Sequence, residues 1–113
     1  MSLALRGSDY FNRDFELSYR WYLEQAGMEV AEGFLAAVQA ALRRLATHPG
    51  LGRNRQFRHP SLRGVCSFKV EAPFTAFLIF YRHTDTELIV ERLMHGARNL
   101  TRRLVEPPGA GKA

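Results

Sequence analysis

The hydrophobic period changes once along this chain, and the change falls at His48-Pro49-Gly50. Before that point apolar residues return every three or four positions, and after it they alternate or run together. A helical period lines residues i, i+4 and i+7 along one face, whereas a period of two lines alternate residues along one face of a strand. The first half must therefore bury helix stripes and the second half sheet faces. The arrangement that satisfies both is α+β, with an N-terminal αα-hairpin packed on a small antiparallel β-sheet.

Residues Leu3 to Arg6 are compatible with a short first strand. Ser8 then supplies an N-cap and Asp9 an acid in the first helical turn, where it meets the positive end of the helix dipole. Phe11, Phe15, Ser18, Tyr19, Tyr22 and Ala26 form the stripe of this first helix, and Gly27 ends it. Val30, Phe34, Val38, Ala41, Leu42 and Leu45 form the stripe of a second helix, with Arg43 and Arg44 near its negative end. So short a connection makes the two helices antiparallel neighbours.

From Leu51 to Arg63 the chain reads as a basic loop carrying Arg53, Arg55, Arg58 and Arg63. Cys66, Phe68 and Val70 then alternate with Val65, Ser67 and Lys69, the pattern of a half-buried strand. After the break at Glu71-Ala72-Pro73, Phe74 to Tyr81 is almost continuously apolar, as in a central strand covered on both faces. Thr84-Asp85-Thr86 makes a turn, and Glu87 to His95 returns as an antiparallel strand. Ala97 to Leu104 reads as a short last helix. Residues 1–105 form the single domain expected of this length, and Pro107-Pro108-Gly109 lies in a flexible tail over 106–113.

Composition narrows the function classes. No apolar run reaches the ~18–20 residues of a membrane span, and no basic-then-apolar leader opens the chain, so a cytoplasmic protein without membrane contact is expected. Cys66 is the only cysteine and makes neither an internal disulfide nor a zinc site. His48, His59, His83 and His95 show no metal-ligand spacing, and the nucleotide-binding and hydrolase glycine motifs are absent, so no metal and no cofactor are expected. Asp9, Asp14 and Glu16 read as a solvated helix face. Sixteen basic residues face eleven acidic ones, giving a net charge of +5, and fourteen of the sixteen are Arg. Guanidinium groups bind phosphate and carboxylate in bidentate fashion, so an anionic partner is expected.

Two groups of residues stand out as candidates. Lys69, Arg82, Arg92, His95 and Arg98 fall on strands or just beyond one. Cleaving RNA through its own 2′-hydroxyl needs a base, an acid and cations for the phosphorane charge. Histidine is the side chain suited to acid–base work near neutral pH, so His95 is the candidate for that role, and Lys69, Arg82 and Arg98 supply the cations of such a site. On the first helix, Tyr10, Leu17 and Trp21 share a side roughly 130° from the core stripe at ~100° per residue. A two-layer domain covers one side of that helix, so the second apolar side reads as a docking surface for another chain.

The series Leu62-Arg63-Gly64, Pro73-Phe74, Phe77-Leu78-Ile79-Phe80-Tyr81-Arg82 and Glu91 to Leu100 resembles the RelE/ParE toxin superfamily. Ala40 to Leu45 and His48-Pro49-Gly50-Leu51-Gly52-Arg53 resemble that superfamily's second helix and following loop. The resemblance implies the toxin of a type II toxin–antitoxin module, neutralised by a small antitoxin that wraps its helices and sheet, with Tyr10, Leu17 and Trp21 as the expected antitoxin contact. Two activities occur in the superfamily. RelE-like members cut mRNA on the ribosome with lysines, arginines and a tyrosine, whereas ParE-like members bind and inhibit DNA gyrase. Arg98 matches the arginine at the end of the nucleases' last strand. Their other strand arginine falls near Phe77 or Leu78, and their C-terminal tyrosine falls near Leu104. With those groups replaced, and with the His-Gly-Ala-Arg pattern at 95–98, the resemblance implies a ParE-like gyrase inhibitor partnered by a ParD-like antitoxin. A ribosome-dependent mRNA endonuclease using Lys69, Arg82, His95 and Arg98 is the alternative, and an inactive antitoxin-binding relative is a third reading.

Overall fold

A computed structural model describes residues 2–96 and 100–109 of the 113-residue chain. The elements follow in the order β1 (Ala4–Gly7), α1 (Asp9–Gln25), α2 (Met28–Thr47), β2 (Arg53–Asn54), β3 (Cys66–Lys69), β4 (Phe77–His83), β5 (Glu87–His95) and α3 (Leu100–Val105). One sheet contains all five strands in the order β1-β5-β4-β3-β2. The neighbours β2, β3, β4 and β5 are antiparallel, as their short connections require. β1 adds a parallel edge to β5, because the whole helical hairpin separates the two strands and lets the chain re-enter in the same direction.

The hairpin forms as its sequence dictates. Ser8 caps α1 by accepting the Phe11 N–H on its hydroxyl at 3.0 Å. Ala26 and Gly27 both donate their N–H groups to the Tyr22 carbonyl, and Gly27 turns the chain at φ 94°, a value that a side chain would strain. α2 then buries Ala31, Phe34, Ala37, Val38, Ala41, Leu42, Leu45 and Ala46. Val30, expected in this stripe, is 37% exposed because it lies at the open tip of the hairpin. Against α2 pack Phe77, Ile79, Tyr81, Leu88, Val90 and Leu93 from the sheet. Phe34 is the hub, with ring centroids 5.5 Å from Phe15, 5.1 Å from Tyr22 and 4.8 Å from Phe77.

The opposite sheet face carries a second, smaller core of Leu62, Val65, Phe80, Met94, Leu100 and Leu104. This explains the apolar run in β4, whose consecutive residues Ile79 and Phe80, on opposite faces, both have no exposed surface. It also changes the reading of β3. Val65 and Ser67, expected on an open face, are buried with 1% and 3% exposed.

Candidate functional site

α1 and α3 meet over the far half of β5, and the polar chemistry of the molecule concentrates at that seam. β1 stops at Gly7, leaving the outer edge of β5 open beyond Val90. α1 closes it with side chains. The Ser8 hydroxyl donates to the Glu91 carbonyl at 2.7 Å, and Asp14 accepts the Leu93 N–H at 3.0 Å. Asp14 is thus buried, which corrects its reading as part of a solvated helix face. Its carboxylate grips Arg92 in a bidentate pair, Nε at 2.7 Å and Nη2 at 3.0 Å.

The third arm of Arg92 reaches α3. Nη1 donates to the carbonyls of Arg103, Leu104 and Glu106 at 2.9, 3.1 and 2.6 Å, capping the negative end of that helix. A single guanidinium, 4% exposed, therefore ties α1 to β5 and β5 to α3. The register slips between Phe80 and Tyr81, which face Arg92 and Val90, so Glu91 is a bulged extra residue. Glu91 and Arg92 consequently line one cavity of about 440 Å³ together with Tyr10, Phe80, Arg82 and Leu104.

The sequence-derived cations do not converge. Lys69 pairs with Leu78 and shares the α3-side face with Phe80 and Arg82, but it stands four residues, roughly 13 Å, along the sheet from Arg82. Arg82 donates Nη1 to the Arg63 carbonyl at 2.7 Å and Nη2 to the Ser61 carbonyl, and its Nε lies 3.5 Å from Glu91. It pins the loop before β3. His95 pairs with Phe77 and sets its ring edge-on against it at 5.0 Å, on the hairpin side of the sheet. Arg98 lies outside the described residues.

The apolar side of α1 is placed as its spacing indicates. Tyr10, Leu17 and Trp21 follow one another along ~16 Å of helix axis. Tyr10 is 43% exposed with the Arg92 guanidinium over its ring at 5.2 Å, and Trp21 is 59% exposed, resting edge-on against Tyr22 at 5.3 Å. Leu17 is half-buried, because Gly109 of the chain's own C-terminal segment lies against it. Leu17 and Gly109 line a second cavity of about 270 Å³ with Asp14, His95, Arg102 and Arg103. The segment after α3 is seated on this side, with the Glu106 carbonyl held by Arg92.

Other polar groups serve the loop after α2. The Tyr81 hydroxyl donates to the Pro49 carbonyl at 2.6 Å and accepts the Gly52 N–H at 3.0 Å. Burial pushes its pKa up, against the Gly52 hydrogen bond, which lowers it. A Cβ at Gly52 would sit 2.3 Å from that hydroxyl, so only glycine fits. Burial likewise pushes the Cys66 thiol up, against a hydrogen bond with Tyr81 that lowers it. Among the described residues no cluster of His, Cys, Asp or Glu is arranged to hold a metal ion, and no helix is long and apolar enough to cross a membrane.

A helical hairpin on one face of a five-stranded sheet, with a short terminal helix latched to the other, is the α+β fold seen in solved ParE and RelE structures. A family model described as "ParE toxin of type II toxin-antitoxin system, parDE" matches residues 5–100. The chain belongs to that family: it is a ParE-type toxin of a type II toxin–antitoxin system. It is 29% identical to Toxin ParE3 of Caulobacter vibrioides over 91 residues, covering 80% of this chain and 84% of that protein. The fold matches a solved structure titled "Chromosomal ParDE TA system from P. aeruginosa" with a TM-score of 0.68 at 19% identity, over 85% of this chain and 98% of that one. It also matches the toxin–antitoxin complex RelBE2 of Mycobacterium tuberculosis, with a TM-score of 0.57 at 18% identity, over 84% and 99% of the two chains.

Proposed function

We propose that this toxin acts in the cytoplasm as a binding inhibitor of DNA gyrase and is silenced by a ParD-like antitoxin that docks on the Tyr10, Leu17 and Trp21 side of α1. The observation that carries the reading is the chemistry of two positions. Where the RNases of the superfamily place an arginine and a tyrosine, this chain has Phe77 or Leu78 and Leu104; Phe77 and Leu104 are 4% and 6% exposed in two separate apolar cores, and Leu78 is half-buried against the second. Neither position offers a charge or a proton to a phosphate. Stabilising a phosphorane requires cations and an acid–base pair at one point. Lys69 and Arg82 stand apart on one sheet face, and His95 stands on the other. An inhibitor that works by binding needs no such convergence.

The antitoxin part draws support from the two solved neighbours, whose titles describe toxin–antitoxin assemblies. It draws support too from the exposure of Tyr10 and Trp21, since aromatic anchors commonly dominate binding energy. The test is to induce this chain alone and follow thymidine and methionine incorporation in parallel, with a supercoiling assay on purified gyrase. Thymidine incorporation is expected to fall first, and supercoiling to stop at micromolar toxin. If methionine falls first, and substituting His95 and Arg98 by Ala abolishes toxicity, the mRNA endonuclease replaces this reading. If neither falls, the chain is an inactive antitoxin-binding relative.

A further inference from the structure

Charge is distributed unevenly along the chain. From Gly33 to Val70 there is no Asp or Glu, yet the segment holds Arg43, Arg44, Arg53, Arg55, Arg58, Arg63 and Lys69. Among the described residues every side-chain ion pair lies outside it, on Arg6, Arg13, Arg20, Arg82, Arg92 and Arg102. The carboxylates that neutralise the rest of the molecule leave this stretch bare.

The fold draws Arg43, Arg44, Arg53 and Arg55 around the β2 edge of the sheet. β2 is the edge strand there, and Arg53 pairs with Ser67 of β3. Arg55 donates its Nε to the Ser67 hydroxyl at 2.7 Å. From the other side of the sheet, the Arg44 guanidinium lies over the Phe68 ring at 5.4 Å. Two guanidiniums therefore contact two consecutive residues of β3, and Arg53 stands beside them in register. Arg43, Arg44, Thr47, His48 and Leu51 line an adjoining open depression of about 530 Å³. All the segment's cations except Arg55 are exposed.

We propose that this end of the molecule is a docking face for the phosphate backbone of duplex DNA. The charge calls for a polyanion, and the neighbouring groups select the kind. An acidic peptide gains most of its affinity from apolar anchors, yet Leu51 is the one large exposed hydrophobe of this segment, whereas Tyr10, Trp21, Leu23, Met28 and Val30 crowd the hairpin. Single-stranded nucleic acid stacks its bases on exposed aromatic rings, and here Phe57 and Phe68 are half-buried, Phe68 beneath Arg44. Exposed arginines without acids or aromatic platforms suit a duplex backbone, where affinity comes from releasing condensed counterions. Contact is independent of sequence, because α2 offers this face only its last turn, where Arg43 and Arg44 suit phosphates rather than base edges.

The test is fluorescence anisotropy of the full-length toxin with a labelled duplex of about 20 base pairs, titrated from about 50 to about 200 mM salt. About four phosphate contacts give a slope of log K on log salt near −3.6, and so roughly a hundredfold loss over that range. The triple variant R43Q/R53Q/R58Q is expected to bind at least tenfold more weakly at the lowest salt and to lose about 2.7 from the slope. R13Q/R20Q/R102Q removes the same net charge from elsewhere and is expected to bind like the parent, thermal melts confirming that both variants fold. Four results would overturn the proposal: no binding at low salt, equal weakening by both triple variants, equal affinity for poly-glutamate of matched charge, or tighter binding to an RNA duplex of the same length.

Discussion

The two faces of the sheet are held by different physics. On the hairpin face, Phe34, Leu45, Ile79, Tyr81, Leu88 and Val90 interlock in a core that is almost wholly apolar. On the α3 face the buried apolar cluster is six residues, and directed bonds complete the attachment: Arg92 holds α3 through the carbonyls of Arg103, Leu104 and Glu106, and Arg82 pins the loop before β3 through the Arg63 carbonyl. A helix that short does not persist by its own hydrogen bonds. The difference teaches where this fold is rigid by packing and where it is held by a few directed bonds. Loss of one contact is shared among neighbours in the first case, and releases an entire element in the second.

That contrast can be broken at either face. Phe34→Ala empties the centre of the hairpin core and is expected to cost about 3–5 kcal/mol in urea unfolding; a loss under about 2 kcal/mol would mean that this core repacks and that its rigidity is overstated. Arg92→Met leaves the Asp14 carboxylate buried without its partner and is expected to cost about 3 kcal/mol or more. Hydrogen exchange sharpens this second case. Amides of Leu100 to Leu104 should lose protection before those of α2, and D14N/R92M should recover much of the loss; uniform loss across the molecule would dissolve the distinction between the faces.

The exposed side of α1 belongs to neither core, and its expected effects are accordingly on binding. Trp21→Glu should leave the unfolding midpoint almost unchanged while weakening antitoxin by about 2 kcal/mol, near thirtyfold, in a calorimetric titration. Unchanged affinity would move the docking surface away from Trp21. The smallest effect is expected at Tyr81→Phe, about 1 kcal/mol for the hydrogen bonds to Pro49 and Gly52. The sign of its pH dependence is fixed. The folded Tyr81 pKa is raised, so its contribution is complete below the ordinary tyrosine value near 10 and is lost as pH climbs through the folded value. The parent should destabilise more steeply than the variant above pH ~10, and parallel alkaline profiles would count against this account.

What was legible in the sequence followed from local repetition. Ser8, Gly27 and His48 punctuate the helices where expected, and the run from Phe77 to Tyr81 reports a strand covered on both sides. The spacing of Tyr10, Leu17 and Trp21 likewise puts them on one side of α1, although no periodicity could show that Gly109 would lie against Leu17. Asp14 was misread because its meaning lies 78 positions away, at Arg92, while its neighbours Arg13 and Glu16 do face solvent. The parallel pairing of β1 and the burial of Val65 and Ser67 were hidden for the same reason: each depends on an element brought in from elsewhere. The RNase candidates Lys69, Arg82 and His95 were grouped by nearness to strand ends, and sheet register, which separates them, has no local signal.

The open margins of the sheet have a consequence for the chain before it meets any partner. An exposed strand margin is a template on which identical chains add to one another and form fibres. Here one margin is β2, only two residues long and led by Arg53, and the other is β1, four residues long and carrying Arg6. Neither offers enough backbone for a second copy to zip onto, and stacking copies would bring like charges together at every step. Edge-to-edge addition of identical chains is thereby disfavoured at both margins of the sheet.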